Sequence, residues 1–163
     1  MTRARATSIG FSAILMWALL ALLTIWSAPV PPLLLNALCF GIGGLIGVVW
    51  TARRGFQVLK GVPLAAYAFG TLGLFGAHFL YFTAFRLAPA AETGLIAYLW
   101  PLMIVLFSGL LPGERLGALH ITGALLSFSG AAIIVLGRGG ALGGEELAGL
   151  AVALLFALWW ALY

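Results

Sequence analysis

Charge is what this sequence has least of. Aspartate, glutamate, lysine and arginine make up 7% of its 163 residues, where a soluble domain carries about a quarter. So few charges cannot cover a solvated surface, which excludes a water-soluble domain. Cysteine is nearly absent too. Cys39 stands alone in an apolar run, where it reads as a small buried hydrophobe, and no disulfide framework or cysteine metal cluster can be built. There is no G-x-x-x-x-G-K-[ST], and the glycine-rich stretch 137–140 has neither the lysine nor a strand before it, so ATP-driven pumping is excluded. No paired carboxylates and no metal-ligand spacing fall inside the apolar runs, which argues against a hydrolase or a metal carrier. The rings of charges or carbonyls that a selective channel needs are missing as well. Nothing calls for a metal or a cofactor. The net charge of +4 does not point to nucleic acid, because the eight basic residues are scattered singly or in pairs.

What the chain does have is apolar length. It is 64% hydrophobic, with a mean hydropathy of +1.18. Six apolar segments stand out, at about 8–26, 33–50, 63–85, 93–111, 116–136 and 147–163. Each comes close to the ~20 residues a helix needs to cross a bilayer. Prolines, glycines and charges separate them: Pro29, Pro31 and Pro32; Arg53, Arg54, Gly55 and Lys60; Pro89; Pro112-Gly113-Glu114-Arg115; and the loop 137–146. The fold class expected is all-α and integral to the membrane, with the lipid bilayer as its surroundings and antiparallel neighbouring helices. Arg3 and Arg5 ahead of an apolar run resemble a signal peptide, but further spans follow at once, so the run reads as a retained first helix. A cytoplasmic N-terminus places Arg3, Arg5, Arg53, Arg54, Lys60 and Arg115 inside, against Arg86 and Arg138 outside, as the positive-inside rule requires.

Three residues break the apolar monotony at mid-depth: Trp17, His78 and Trp100. Membrane tryptophans usually sit at the interface, as Trp26 and Trp50 do here. An indole N–H or an imidazole in the middle of a span needs a polar partner that lipid tails do not offer. A protein-lined cavity is the expected setting, and such residues are functional candidates. On the third span, Gly70, Gly73, Gly76 and Ala77 form a narrow ridge for close helix approach. Steps of three and four from His78 put Thr71, Leu74, Phe75, Tyr81, Phe82 and Phe85 on its face. His78 either binds a solute or bonds a neighbouring helix's carbonyl as glue; for Trp17 and Trp100 the alternative is packing bulk. In Tyr98-Leu99-Trp100-Pro101, the proline removes an N–H and disfavours α geometry before it, so a kink and a freed carbonyl near Ala97 are expected. Glu92 suits the start of the fourth span, within reach of Arg86, while Glu114, Glu145 and Glu146 fall on turns or helix starts. His120 belongs near a membrane surface.

The last segment echoes the first. Trp160-Ala161-Leu162 repeats Trp17-Ala18-Leu19, and an odd number of spans between the two reverses the second copy. That is the mark of an inverted repeat, with a solute site near the midplane. A span ending at Tyr163 without a flanking charge suggests a piece of a longer protein.

The stretches Leu80-Tyr81-Phe82-Thr83-Ala84-Phe85, Trp100-Pro101-Leu102, Gly113-Glu114-Arg115-Leu116 and Ser129-Gly130-Ala131 resemble the EamA repeat of the drug/metabolite transporter superfamily. The opening with Arg3, Ile9-Gly10 and Trp17, together with Tyr98-Leu99-Trp100-Pro101, is most similar to the aromatic amino-acid exporters within it. The resemblance implies a ten-helix bundle of two inverted five-helix repeats in the bacterial inner membrane, both termini cytoplasmic. On that plan residues 1–138 are the first repeat. Residues 139–163 are then the periplasmic loop and part of helix six, and the second repeat, which completes the site, is missing from this sequence. It also implies alternating-access export of small amino acids, aromatic and other neutral ones. Trp17, Trp100 and Trp160 would face the side chain, Tyr98 and Tyr81 would offer hydroxyls, and His78 would take the polar end or sense its protonation. Pro101, Gly73 and Gly76 would let one bundle rock against the other. Rival readings are a carrier of another small solute and a non-transporting membrane enzyme or assembly subunit. Proton coupling stays open.

Overall fold

Prolines start four of the helices. The computed structural model describes residues 3–113, 116–137 and 142–163; Glu114, Arg115 and Arg138, used above, lie outside them. Helix α1 is Arg3–Trp26, α2 Pro32–Arg54, α3 Leu64–Leu87, α4 Ala90–Ala97, α5 Trp100–Ser108, α6 Ala118–Leu136 and α7 Gly144–Leu162. Pro32 lies in the first turn of α2 and Pro101 in that of α5, while Pro63 and Pro89 cap α3 and α4. At those positions the missing N–H deprives no intrahelical bond. All regular structure among the described residues is helical, and α4 and α5 together make one span, so six helical segments are long and apolar enough to cross a membrane.

The helices differ from the expected segments mainly at their ends. The second runs past Trp50 to Arg54, because two arginines in the last turn complement its carbonyl end. Gly55 then turns the chain at φ 85°, a conformation that a side chain would strain. The fourth span begins at Ala90 and closes at Ser108, short of Leu111. His120 and Glu146 serve as helix-start acceptors: the Gly117 N–H donates to His120 Nδ1 and the Gly143 N–H to Glu146 Oε2, each at 3.0 Å.

Helix α7 is the centre of the bundle, packing mostly on α3 and then on α4 and α5; α1 touches α3 and α4 only lightly. Ala77 on α3 and Ala153 and Ala157 on α7 have no exposed surface, and a Cβ at Gly149 would meet Ala88 and Leu87. Small residues let these helices approach closely, as membrane bundles require. The outer faces of α1, α2 and α6 carry exposed leucine, isoleucine and phenylalanine, a surface compatible with lipid and not with water.

Polar ties between helices are few and specific. The wholly buried Asn36 donates from Nδ2 to the Phe75 carbonyl at 3.1 Å. Trp159 Nε1 donates to the Gly73 carbonyl at 3.0 Å. Arg86 donates to the carbonyls of Thr24 (2.9 Å), Ser27 (2.7 Å) and Val30 (3.2 Å). The guanidinium thus collects the carbonyls at the end of α1, which no helical N–H reaches.

Candidate functional site

A cavity of about 220 Å³ lies among α1, α3, the α4–α5 break and α7. That is below the ~300–1,000 Å³ of drug-sized ligand pockets, a volume for a small solute. The walls are built element by element. Helix α1 contributes Trp17 and Leu20; α3 contributes Leu74, His78 and Tyr81. The break contributes Ala97, Tyr98 and Trp100, and α7 contributes Phe156 and Trp160.

The break is local chemistry. Pro101 has no N–H to give the Ala97 carbonyl, so the helical ladder stops there. The preceding carbonyls are taken by turn contacts, Gly94 by the Tyr98 N–H at 2.9 Å and Ile96 by the Leu99 N–H at 3.1 Å. Two helical pieces result, with Tyr98 at the joint and Trp100 at the start of the second.

Three indoles then form a nearly regular triangle. Trp17 and Trp100 have ring centroids 6.3 Å apart, Trp17 and Trp160 6.2 Å, and Trp100 and Trp160 6.4 Å. All three pairs meet edge to face, at 63° to 78°. This geometry lets each ring's positive edge meet a neighbour's negative face. Phe156 stacks on Trp160 at 6.1 Å and meets Tyr81 at 5.1 Å.

His78 is caged by Phe40 at 5.2 Å, Phe82 at 6.0 Å and Trp160 at 6.0 Å. Its Nδ1 lies 2.8 Å from the Leu74 carbonyl, one turn earlier on its own helix. A carbonyl only accepts, so this bond puts a proton on Nδ1 and leaves Nε2 as the other ring nitrogen. The bond to a neighbouring helix's carbonyl, one of the two roles open to His78, is made at Asn36 and Trp159 instead. The Tyr81 hydroxyl is buried and has no hydrogen-bond partner among the described residues. Among the described residues, the imidazole is the only cationic-capable group on the walls, and no carboxylate is among them.

The structure therefore brings Trp17, His78, Tyr81, Tyr98, Trp100 and Trp160 to one cavity. Pro101, Gly73 and Gly76 stand behind it. A Cβ at Gly73 would fall on the Tyr163 ring, and one at Gly76 would come within 2.8 Å of Trp159. Leu20 and Phe156 are wall residues that the sequence reading did not single out. Both were reachable by helical counting, three residues after Trp17 and four before Trp160.

Comparison with known proteins places this architecture. Residues 5–136 match the model of the EamA-like transporter family. The chain is similar to "Aromatic amino acid exporter YddG" of Ancylobacter novellus, 48% identical over 167 residues, covering 100% of this chain and 58% of that protein. It is similar to the protein of the same name from Escherichia coli K12, 31% identical over 147 residues, covering 86% of this chain and 48% of that one. A crystal structure 46% identical to the chain superposes with a TM-score of 0.68, covering 99% of this chain and 57% of the other. The chain thus spans about half the length of the relatives it matches, from 48% to 58%. With its six apolar helices it is a multi-pass membrane protein, and it belongs to the EamA-like transporter family, a family of transporters and not of enzymes.

Proposed function

We propose that the protein of which this chain is part exports small amino acids, aromatic and other neutral ones, from the cytoplasm across the bacterial inner membrane. The observation that carries the reading is the meeting of three indoles and an imidazole at one cavity from helices remote in sequence. Flat rings offer an aromatic side chain edge-to-face partners worth about 0.5–1.5 kcal/mol each. His78 Nε2, the Tyr81 hydroxyl and the Ala97 carbonyl offer polar partners for the amino and carboxyl groups. The names of the similar proteins support the same solute class.

Export is by alternating access, without ATP. The α4–α5 break at Pro101 supplies a joint, and Gly73 and Gly76 supply the close α3 contact that lets one bundle rock against the other. Helix α7 is read as the first helix of a second, inverted repeat, whose remaining helices close the cavity. The N-terminus is cytoplasmic, because Arg3, Arg5, Arg53, Arg54 and Lys60 all fall at one end of the spans.

The test is uptake of a labelled amino-acid panel by the full-length protein in liposomes, with and without His78→Ala. Uptake of phenylalanine and other neutral amino acids, reduced at least tenfold in the variant, is expected. Failure of a folded wild-type protein to move any amino acid would remove the substrate class and favour another small solute.

A further inference from the structure

Trp159 adjoins the cavity residue Trp160 without lining the cavity itself. Its Nε1–H donates to the Gly73 carbonyl at 3.0 Å. Its ring rests on Gly76, where a Cβ would come within 2.8 Å of Cζ2 and 3.3 Å of Nε1. Only glycine leaves room for that approach. Trp160 lies about 100° further round the helix and faces Trp17, Trp100 and His78, with centroids at 6.2, 6.4 and 6.0 Å. The two adjacent indoles therefore have different partners, one the backbone of α3 and the other the cavity.

Elsewhere the α3–α7 contact is made largely by small or apolar groups, among them Ala77, Ala153 and Phe156. Methyl groups set the distance between two helices but constrain rotation about the helix axis weakly. A hydrogen bond is directional and fixes it. We infer that Trp159 is a positioning residue: its bond to Gly73, seated on Gly76, sets the rotation of α7 that presents Trp160 to the solute, and so tunes selectivity for flat aromatic over small neutral amino acids. The inference rests on the carrier reading above.

The experiment is transport kinetics of phenylalanine and threonine by the full-length protein in liposomes. Two variants attack one contact from opposite sides. Trp159→Phe keeps a ring and loses the N–H; Gly76→Ala keeps the N–H and displaces the ring that carries it. Both are expected to raise the KM for phenylalanine about fivefold, the size of one lost neutral hydrogen bond. Values for threonine stay within about twofold. The double variant is no worse than either single one, because both remove the same interaction. A merely structural role would lower kcat for both solutes in parallel and leave both KM values alone; that result overturns the inference. Thermal unfolding in detergent ensures that folded proteins are compared, and if Gly76→Ala does not fold, Trp159→Phe decides. Wild-type uptake with unchanged selectivity in the variants removes this inference alone. Absence of wild-type uptake of either solute removes the carrier reading and the inference with it.

Discussion

At the scale of single residues, the polar groups in this apolar chain divide into those that hold it together and those that face the cavity. Arg86 belongs to the first kind. Its guanidinium gathers the Thr24, Ser27 and Val30 carbonyls at the end of α1. Arg86→Ala leaves those carbonyls without their charged donor and should destabilise the folded protein by about 2 kcal/mol. Arg86→Lys should fall between, since an ammonium keeps the charge but not the planar fork. Thermal unfolding in detergent checks both; an unchanged Arg86→Ala midpoint would refute the tie. His78 belongs to the second kind. Its position at mid-depth was legible because an imidazole in lipid has few explanations. Its bond to Leu74 was not, since a span with several carbonyls within reach does not say which is used. Asn36 lies near the start of the second span, where a polar residue is ordinary in the sequence, yet it is the wholly buried donor that joins α2 to α3.

At the scale of helices, glycine and proline carry most of what the sequence could tell. The expected kink at Pro101 is a full break, with Ala97 ending one helix and Trp100 starting the next. Pro101→Ala returns an N–H to the Ala97 carbonyl and favours a continuous helix. It should preserve or raise the unfolding temperature while lowering amino-acid uptake by the full-length protein; wild-type uptake would show that the joint does not matter. The glycine ridge on α3 is less uniform than its spacing suggests. Gly73 and Gly76 seat Tyr163 and Trp159, whereas nothing lies within 4 Å of a Cβ at Gly70. Small-residue spacing marks a face for close approach but not how far along it the neighbour reaches. Gly70→Ala should therefore leave stability unchanged or slightly raised. Gly149→Ala places a methyl within 2.8 Å of the Ala88 nitrogen and should cost about 1–3 kcal/mol by overpacking. Equal unfolding midpoints for the two variants would contradict the packing described.

At the scale of the whole molecule, four of the six described apolar spans, α1, α3, α4–α5 and α7, wall the cavity, and α2 and α6 lie outside it. Number and rough placement of the spans follow from hydropathy, because length and apolarity are all that crossing a bilayer demands. The convergence of Trp17, Trp100 and Trp160 does not follow from any one segment. It could be anticipated only by noting that several costly groups lie at one depth, which a cavity explains together and packing explains one at a time. Which helix sits at the centre was not legible. The hydropathy of α7 resembles that of its neighbours, and its central place depends on small side chains distributed over two helices. The central claim is that this aromatic cavity binds the exported amino acid. Its most direct test is phenylalanine uptake by the full-length protein in liposomes, comparing wild type with Trp160→Leu and with Gly70→Ala as a control outside the cavity. The account predicts at least a tenfold fall in kcat/KM for Trp160→Leu and near wild-type values for Gly70→Ala. Undiminished uptake by folded Trp160→Leu would contradict it.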